Sequence, residues 1–111
     1  MFQSPLAMNV GPAPNLRITF PPPGFFLVDA RFTVTLDGHP VYDGSFKQGF
    51  DGMFPVAPGY HEIATRIDMG GIARSRSYPI VISPGRGYSL LLEYSRFWGN
   101  FASKPKLIEH G

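Results

Sequence analysis

A small antiparallel β-sandwich of about seven strands is the fold this chain predicts, and three observations predict it. Runs of strand length end in tight-turn dipeptides: FTVTLDG over 32–38, FPVAPGYHEI over 54–63 and IVISPGRGYSLLL over 80–92. The 12 Pro, 13 Gly and 10 Phe punctuate many short strands and leave no uninterrupted stretch with a helical apolar stripe. The 111 residues suit one domain with one core, read as 15–102, between a flexible arm over 1–14 and a polar tail over 103–111.

Each element has its own signal. Asn15 to Phe20 alternates, with Leu16, Ile18 and Phe20 on one face, and Pro21 to Gly24 stops it, which predicts a short edge strand. Phe25 to Val28 is a continuous apolar run. Arg31 to Asp37 alternates with Phe32, Val34 and Leu36 inward, and Asp37-Gly38 ends it in a turn. Val41-Tyr42 precedes a second Asp-Gly, after which Ser45 to Val56, interrupted by Gly49 and Gly52, predicts irregular hairpins with bulges at glycine. Pro58-Gly59 leads into Tyr60 to Asp68, with His61, Ile63, Thr65 and Ile67 on one face, and Gly70-Gly71 closes a hairpin back through Ile82. In that returning strand Arg74 and Arg76 share the parity of Tyr78, Ile80 and Ile82, so either Pro79 marks a bulge or the hairpin tip projects beyond the core. Pro84-Gly85 turns into the last long strand, whose Tyr88, Leu90, Leu92 and Tyr94 point inward.

Composition narrows the function classes. Without cysteine there is no disulfide framework and no thiolate zinc site, and no secretory signal or membrane-spanning run occurs, so a cytoplasmic, soluble protein is expected. The net charge of +2 is too small to argue for nucleic acid.

The alternating strand ending in Asp37-Gly38, the Pro-Gly-x-His-x-Ile element at 58–63 and the Pro-Gly turn before the strand reaching Leu92 resemble a PEGA-type domain. That family is a small bacterial and archaeal sandwich of immunoglobulin/transthyretin-like layout, and the resemblance spans about residues 30–94. The Pro-Glu-Gly-Ala motif itself is absent, with Asp29-Ala30-Arg31-Phe32 in its place. The resemblance implies a non-catalytic accessory, surface or scaffold unit.

The residues that carry chemistry are few. Asp37-Gly38, Asp43-Gly44 and Asp51-Gly52 could supply calcium ligands, but their spacing fits no EF-hand loop and all three read as ordinary turns. His61 and Glu62 are adjacent on a strand and point to opposite faces, so His61 is expected to be a partly buried, hydrogen-bonded ring; His39, His61 and His110 form no ligand set. No nucleophile elbow or phosphate loop is present, and neither an enzyme nor a cofactor is expected; a hydrolase is the remote alternative. Arg74, Arg76 and Arg86 could make a weak anion-binding face, without specific nucleic-acid recognition. More rings are present than one small core needs, which nominates Phe97, Trp98, Phe101, Phe46 and Phe50 as an interface. The expected role is a homo-oligomerising or protein-binding module using these rings and a sheet edge, and the alternative is carbohydrate stacking on exposed aromatics.

Overall fold

The computed structural model describes residues 14–23, 29–95, 100–102 and 106–110, and these form an all-β sandwich with no helix. Its strands are β1 (Leu16–Phe20), β2 (Arg31–Leu36), β3 (His39–Ser45), β4 (Phe50–Phe54), β5 (Gly59–Asp68), β6 (Ala73–Ile82), β7 (Gly87–Leu91), β8 (Tyr94–Ser95), β9 (Asn100–Phe101) and β10 (Lys106–His110). One sheet has the order β10-β7-β1-β4, the facing sheet β3-β2-β5-β6, and β8 and β9 pair as a short ribbon.

The period-two faces close the core as the sequence predicts. Leu16, Ile18, Phe32, Val34, Ile63, Leu90 and Leu92 are all buried, since every second side chain of a strand must leave water for the facing sheet. Phe20, Phe32, Phe46 and Phe101 meet at one end of this core, with Phe32 stacked on Phe101 at 5.2 Å and lying 5.1 Å from Phe20.

Turn chemistry sets the hairpins. Asp37 and Gly38 have φ of 52° and 83°, the two left-handed residues of a type I′ turn joining β2 to β3. Gly70-Gly71 joins β5 to β6, closed by Met69 N–H donating to Ile72 C=O.

Several expectations are corrected. β1 is not an edge strand: it lies between β4 and β7, antiparallel to the first and parallel to the second, so the sandwich is not wholly antiparallel. Asp43-Gly44 and Asp51-Gly52 are not turns but lie within β3 and β4. There the missing side chains make room for rings. A Cβ at Gly44 would sit 2.9 Å from the Tyr42 hydroxyl, and one at Gly52 would meet both Phe50 and Phe54 at 2.8 Å. The bulge falls between Val34 and Thr35 of the β2–β3 ladder, beside Val41, and not at a glycine. Pro79 causes no bulge, because β5 and β6 stay in register from Gly59↔Ile82 to Asp68↔Ala73. The tail read over 103–111 contains β10, which pairs along β7 and rests Leu107 against the core. All of the arm read over 1–14 except Pro14, and the run Phe25 to Val28, lie outside the described residues.

Candidate functional site

The sequence nominated rings and arginines, and the structure separates them. Phe46 and Phe101 are 0% and 1% exposed, so they are core and not interface. Phe46 plugs the end of the sandwich where the chain crosses from β3 to β4, and Phe101 is delivered there by β9. Both rings touch Phe20, Phe32 and Tyr94, which leaves no face for a partner. Phe97 and Trp98 lie outside the described residues. Of the nominated rings that are described, Phe50 alone is half-buried, on β4.

The β8–β9 ribbon also explains the parity of β6. Arg76 Nε donates to Phe101 C=O at 3.1 Å, Asn100 Nδ2 to Ser75 C=O at 3.2 Å, and the Tyr78 hydroxyl to Ala102 C=O at 2.6 Å. The tip of β6 therefore projects past the core with Ala73 to Ser75 exposed, and the ribbon holds the strand from Ser75 to Tyr78. Burial pushes the Tyr78 hydroxyl up to about 12, against the pull of Arg76, which keeps it a donor at ordinary pH. Arg74 and Arg76 sit at the start of β6 and Arg86 lies past its end, roughly 25 Å away at strand rise, so the three do not converge.

His61 is held as expected, inside a polar clasp. Its Nδ1 lies 2.6 Å from Asp37 Oδ2 and its Nε2 2.6 Å from Ala57 C=O, while Asp37 Oδ1 accepts Glu62 N–H at 2.8 Å. Both ring nitrogens face acceptors, so only the doubly protonated imidazolium satisfies the geometry, and no nitrogen is left for a metal or a base. The hydrogen bond to Asp37 raises the His61 pKa and lowers that of Asp37. The folded His61 pKa is raised, so its contribution is complete below the ordinary 6.5 and is lost as pH rises through the folded value; the Asp37 contribution is present above 3.8 and lost as pH falls through its lower folded value. Stability from this pair is therefore greatest between these two ordinary values. His61→Ala is expected to cost about 1–2 kcal/mol near pH 5.5 and to flatten the decline in melting temperature at higher pH. Thermal melts of both proteins across pH 4–9 check this.

What remains open is the side of the sandwich where edge strands β3 and β4 face each other. Tyr42 of β3 packs on Phe50 at 4.8 Å, and Phe50 lies 6.2 Å from Phe54, so three half-buried rings form a stripe between the two sheets. At one end of the stripe, Thr19, Pro21, Pro22, Gln48 and Asp51 join Tyr42 and Phe50 around an open cleft of about 530 Å³.

The four sheet edges differ in what guards them. β3 carries Pro40 and the bulge, β6 carries Pro79 and is flanked by β9, and β10 presents Lys106, Glu109 and His110 in five residues. β4 has no proline, no bulge and no flanking strand among the described residues, and its Met53 is 57% exposed. The carbonyls of Asn15 and Thr19 accept from Tyr88 N–H of β7 and from Leu92 N–H just past it, so alternation turns Leu16, Ile18 and Phe20 toward β4. Their partners Phe50, Gly52 and Phe54 bond inward, and the N–H and C=O of Asp51 and Met53 point off the free edge. The Asp51 side chain is held by Arg17, with contacts of 2.9 and 2.6 Å, and accepts from the Thr19 hydroxyl at 3.4 Å.

The sequence reading names a sheet edge and Phe50, but not β4 as that edge. The signal was the Phe-x-Gly-x-Phe spacing of 50–54, which reads as a broken hairpin until glycine is seen as space for the flanking rings. No cluster of three metal-ligating side chains occurs among the described residues, nor any helix long and apolar enough to cross a membrane. No protein-family model, curated protein or solved structure matches the chain. The likeness to PEGA-type domains therefore rests on the quoted residues alone.

Proposed function

We propose that this chain is a non-catalytic interaction or assembly module, which binds a copy of itself or a protein partner along the open β4 side. The observation that carries the reading is the contrast among edges. Free N–H and C=O groups of a strand pair readily with another chain, and among the described edges β4 has no proline, no bulge and no flanking strand, while its one charge, Asp51, is paired with Arg17 of its own chain. The adjoining stripe of Tyr42, Phe50 and Phe54 offers apolar area next to those backbone groups. The PEGA-like residues, whose family is built of accessory units, point the same way.

Native mass in an extract of the source cells tests this reading. Elution well above the monomer mass of 12.3 kDa is expected, and Met53→Pro, which alters a backbone N–H facing away from β1, is expected to bring the protein to monomer mass. Elution of the wild type as a monomer in the extract would overturn the reading.

Carbohydrate binding is the second reading, favoured by the cleft where Tyr42 and Phe50 stand beside Gln48 and Asp51. Saturable heat of binding with a soluble oligosaccharide, abolished by Tyr42→Ala, would place it first.

A further inference from the structure

We infer that the partner of β4 is the β4 strand of a second copy, paired antiparallel about a two-fold axis at Gly52. The inference rests on the interaction reading above and names its partner. Only Asp51 and Met53 present backbone groups on the free edge, so a ladder between copies must pair odd residues with odd residues. Three registers meet that condition. Asp51 opposite Asp51 sets two carboxylates face to face. Met53 opposite Met53 sets Asp51 opposite Pro55, which has no N–H to give. Asp51 opposite the partner's Met53 avoids both faults and repeats itself by symmetry, giving four inter-chain hydrogen bonds centred on Gly52.

Side chains agree with that register. On the outer face each Asp51 lies across the seam from a methionine, and its charge is already answered by Arg17 in its own chain. On the inner face Gly52 meets the partner's Gly52 without a side chain between them, and each Phe50 comes opposite the partner's Phe54. The pairing therefore joins two half-buried ring stripes and extends the four-stranded sheet to eight strands across the axis.

The test uses the absence of cysteine from the chain. Light scattering of the purified protein is expected to show mass rising from 12.3 kDa toward twice that with concentration, and Met53→Pro is expected to remain monomeric with unchanged circular dichroism. Asp51→Cys mixed with Met53→Cys is expected to form a disulfide-linked heterodimer on mild oxidation, because opposed residues of a hydrogen-bonded pair lie within disulfide range at ~5.5 Å. Each cysteine variant alone is offset by two residues from its own copy and is expected to cross-link little. If Met53→Pro fails to fold, the cysteine pair still decides. A purified wild type that stays monomeric at every concentration, or a dimer whose mixed cysteines do not cross-link selectively, overturns the inference. High native mass in the extract together with a monomeric purified protein would remove self-pairing and leave the interaction reading standing, whereas monomer in both would remove both.

Discussion

Phe46→Ala or Phe101→Ala is expected to destabilise the fold by about 3–5 kcal/mol, the usual range for deleting a buried phenylalanine, and to lower the melting temperature by ~15–30 °C. Each ring is sealed among Phe20, Phe32 and Tyr94. The end of the sandwich is spanned by the β3–β4 crossing on one side and by β9 on the other, so the backbone cannot collapse freely into the space left behind. Native mass should stay unchanged at temperatures where the variants are folded. Melting curves with light scattering check both parts. A variant that melts like the wild type but loses its assembled mass would mean that the ring belongs to an interface after all.

Gly49→Ala is expected to be nearly as damaging, at about 2–4 kcal/mol. Gly49 has φ of 72°, and a Cβ there would lie 2.4 Å from the carbonyl oxygen of Phe20 and 2.8 Å from the nitrogen of Pro22, both backbone atoms that cannot swing aside. Gly70 is the natural control. It has nearly the same φ, 67°, but nothing lies within 4 Å of its missing Cβ, so Gly70→Ala should cost only the conformational part, about 1 kcal/mol. The difference between the two variants in denaturant midpoint measures the collision alone. Equal losses would show that the crossing between sheets yields more readily than its geometry suggests.

Local rules made much of this fold readable. Period-two alternation identified the buried faces of β1, β2, β5 and β7 because burial against a facing sheet acts on every second residue. Asp37-Gly38 and Gly70-Gly71 were readable as hairpin turns because only such residues accept two left-handed conformations in succession. The same dipeptide misled at Asp43-Gly44 and Asp51-Gly52, where a ring two residues away decides the role of glycine and the turn rule does not apply. Strand neighbours were not readable, since nothing within LRITF states that it will lie between β4 and β7. The open edge was hidden for the same reason: an edge is defined by which strands are absent beside it, a property of the whole topology. Phe46 and Phe101 were misassigned because the count of rings was set against the core of the regular strands, without the end that the β3–β4 crossing and β9 close. His61 was legible because a histidine on an inward face needs partners, although Ala57 and Asp37 as those partners come only from the fold.

The placement of β1 bears on the order in which the chain can assemble. The β2–β3 and β5–β6 hairpins close over short loops and join through the β2–β5 ladder, from Leu36 with Ile63 to Arg31 with Asp68, all of it made before Gly87. β1 must wait for both of its partners: Leu16 pairs with Phe54 on one side and with Tyr88 on the other, across most of the chain. During synthesis the sheet of β2, β3, β5 and β6 can therefore be complete while β1 still lacks its parallel neighbour, and β1, made before all four of those strands, is locked after them. Until β7 leaves the ribosome, Leu16, Ile18 and Phe20 belong to a strand with an open flank, and a nascent chain stalled before Gly87 would hold that flank exposed.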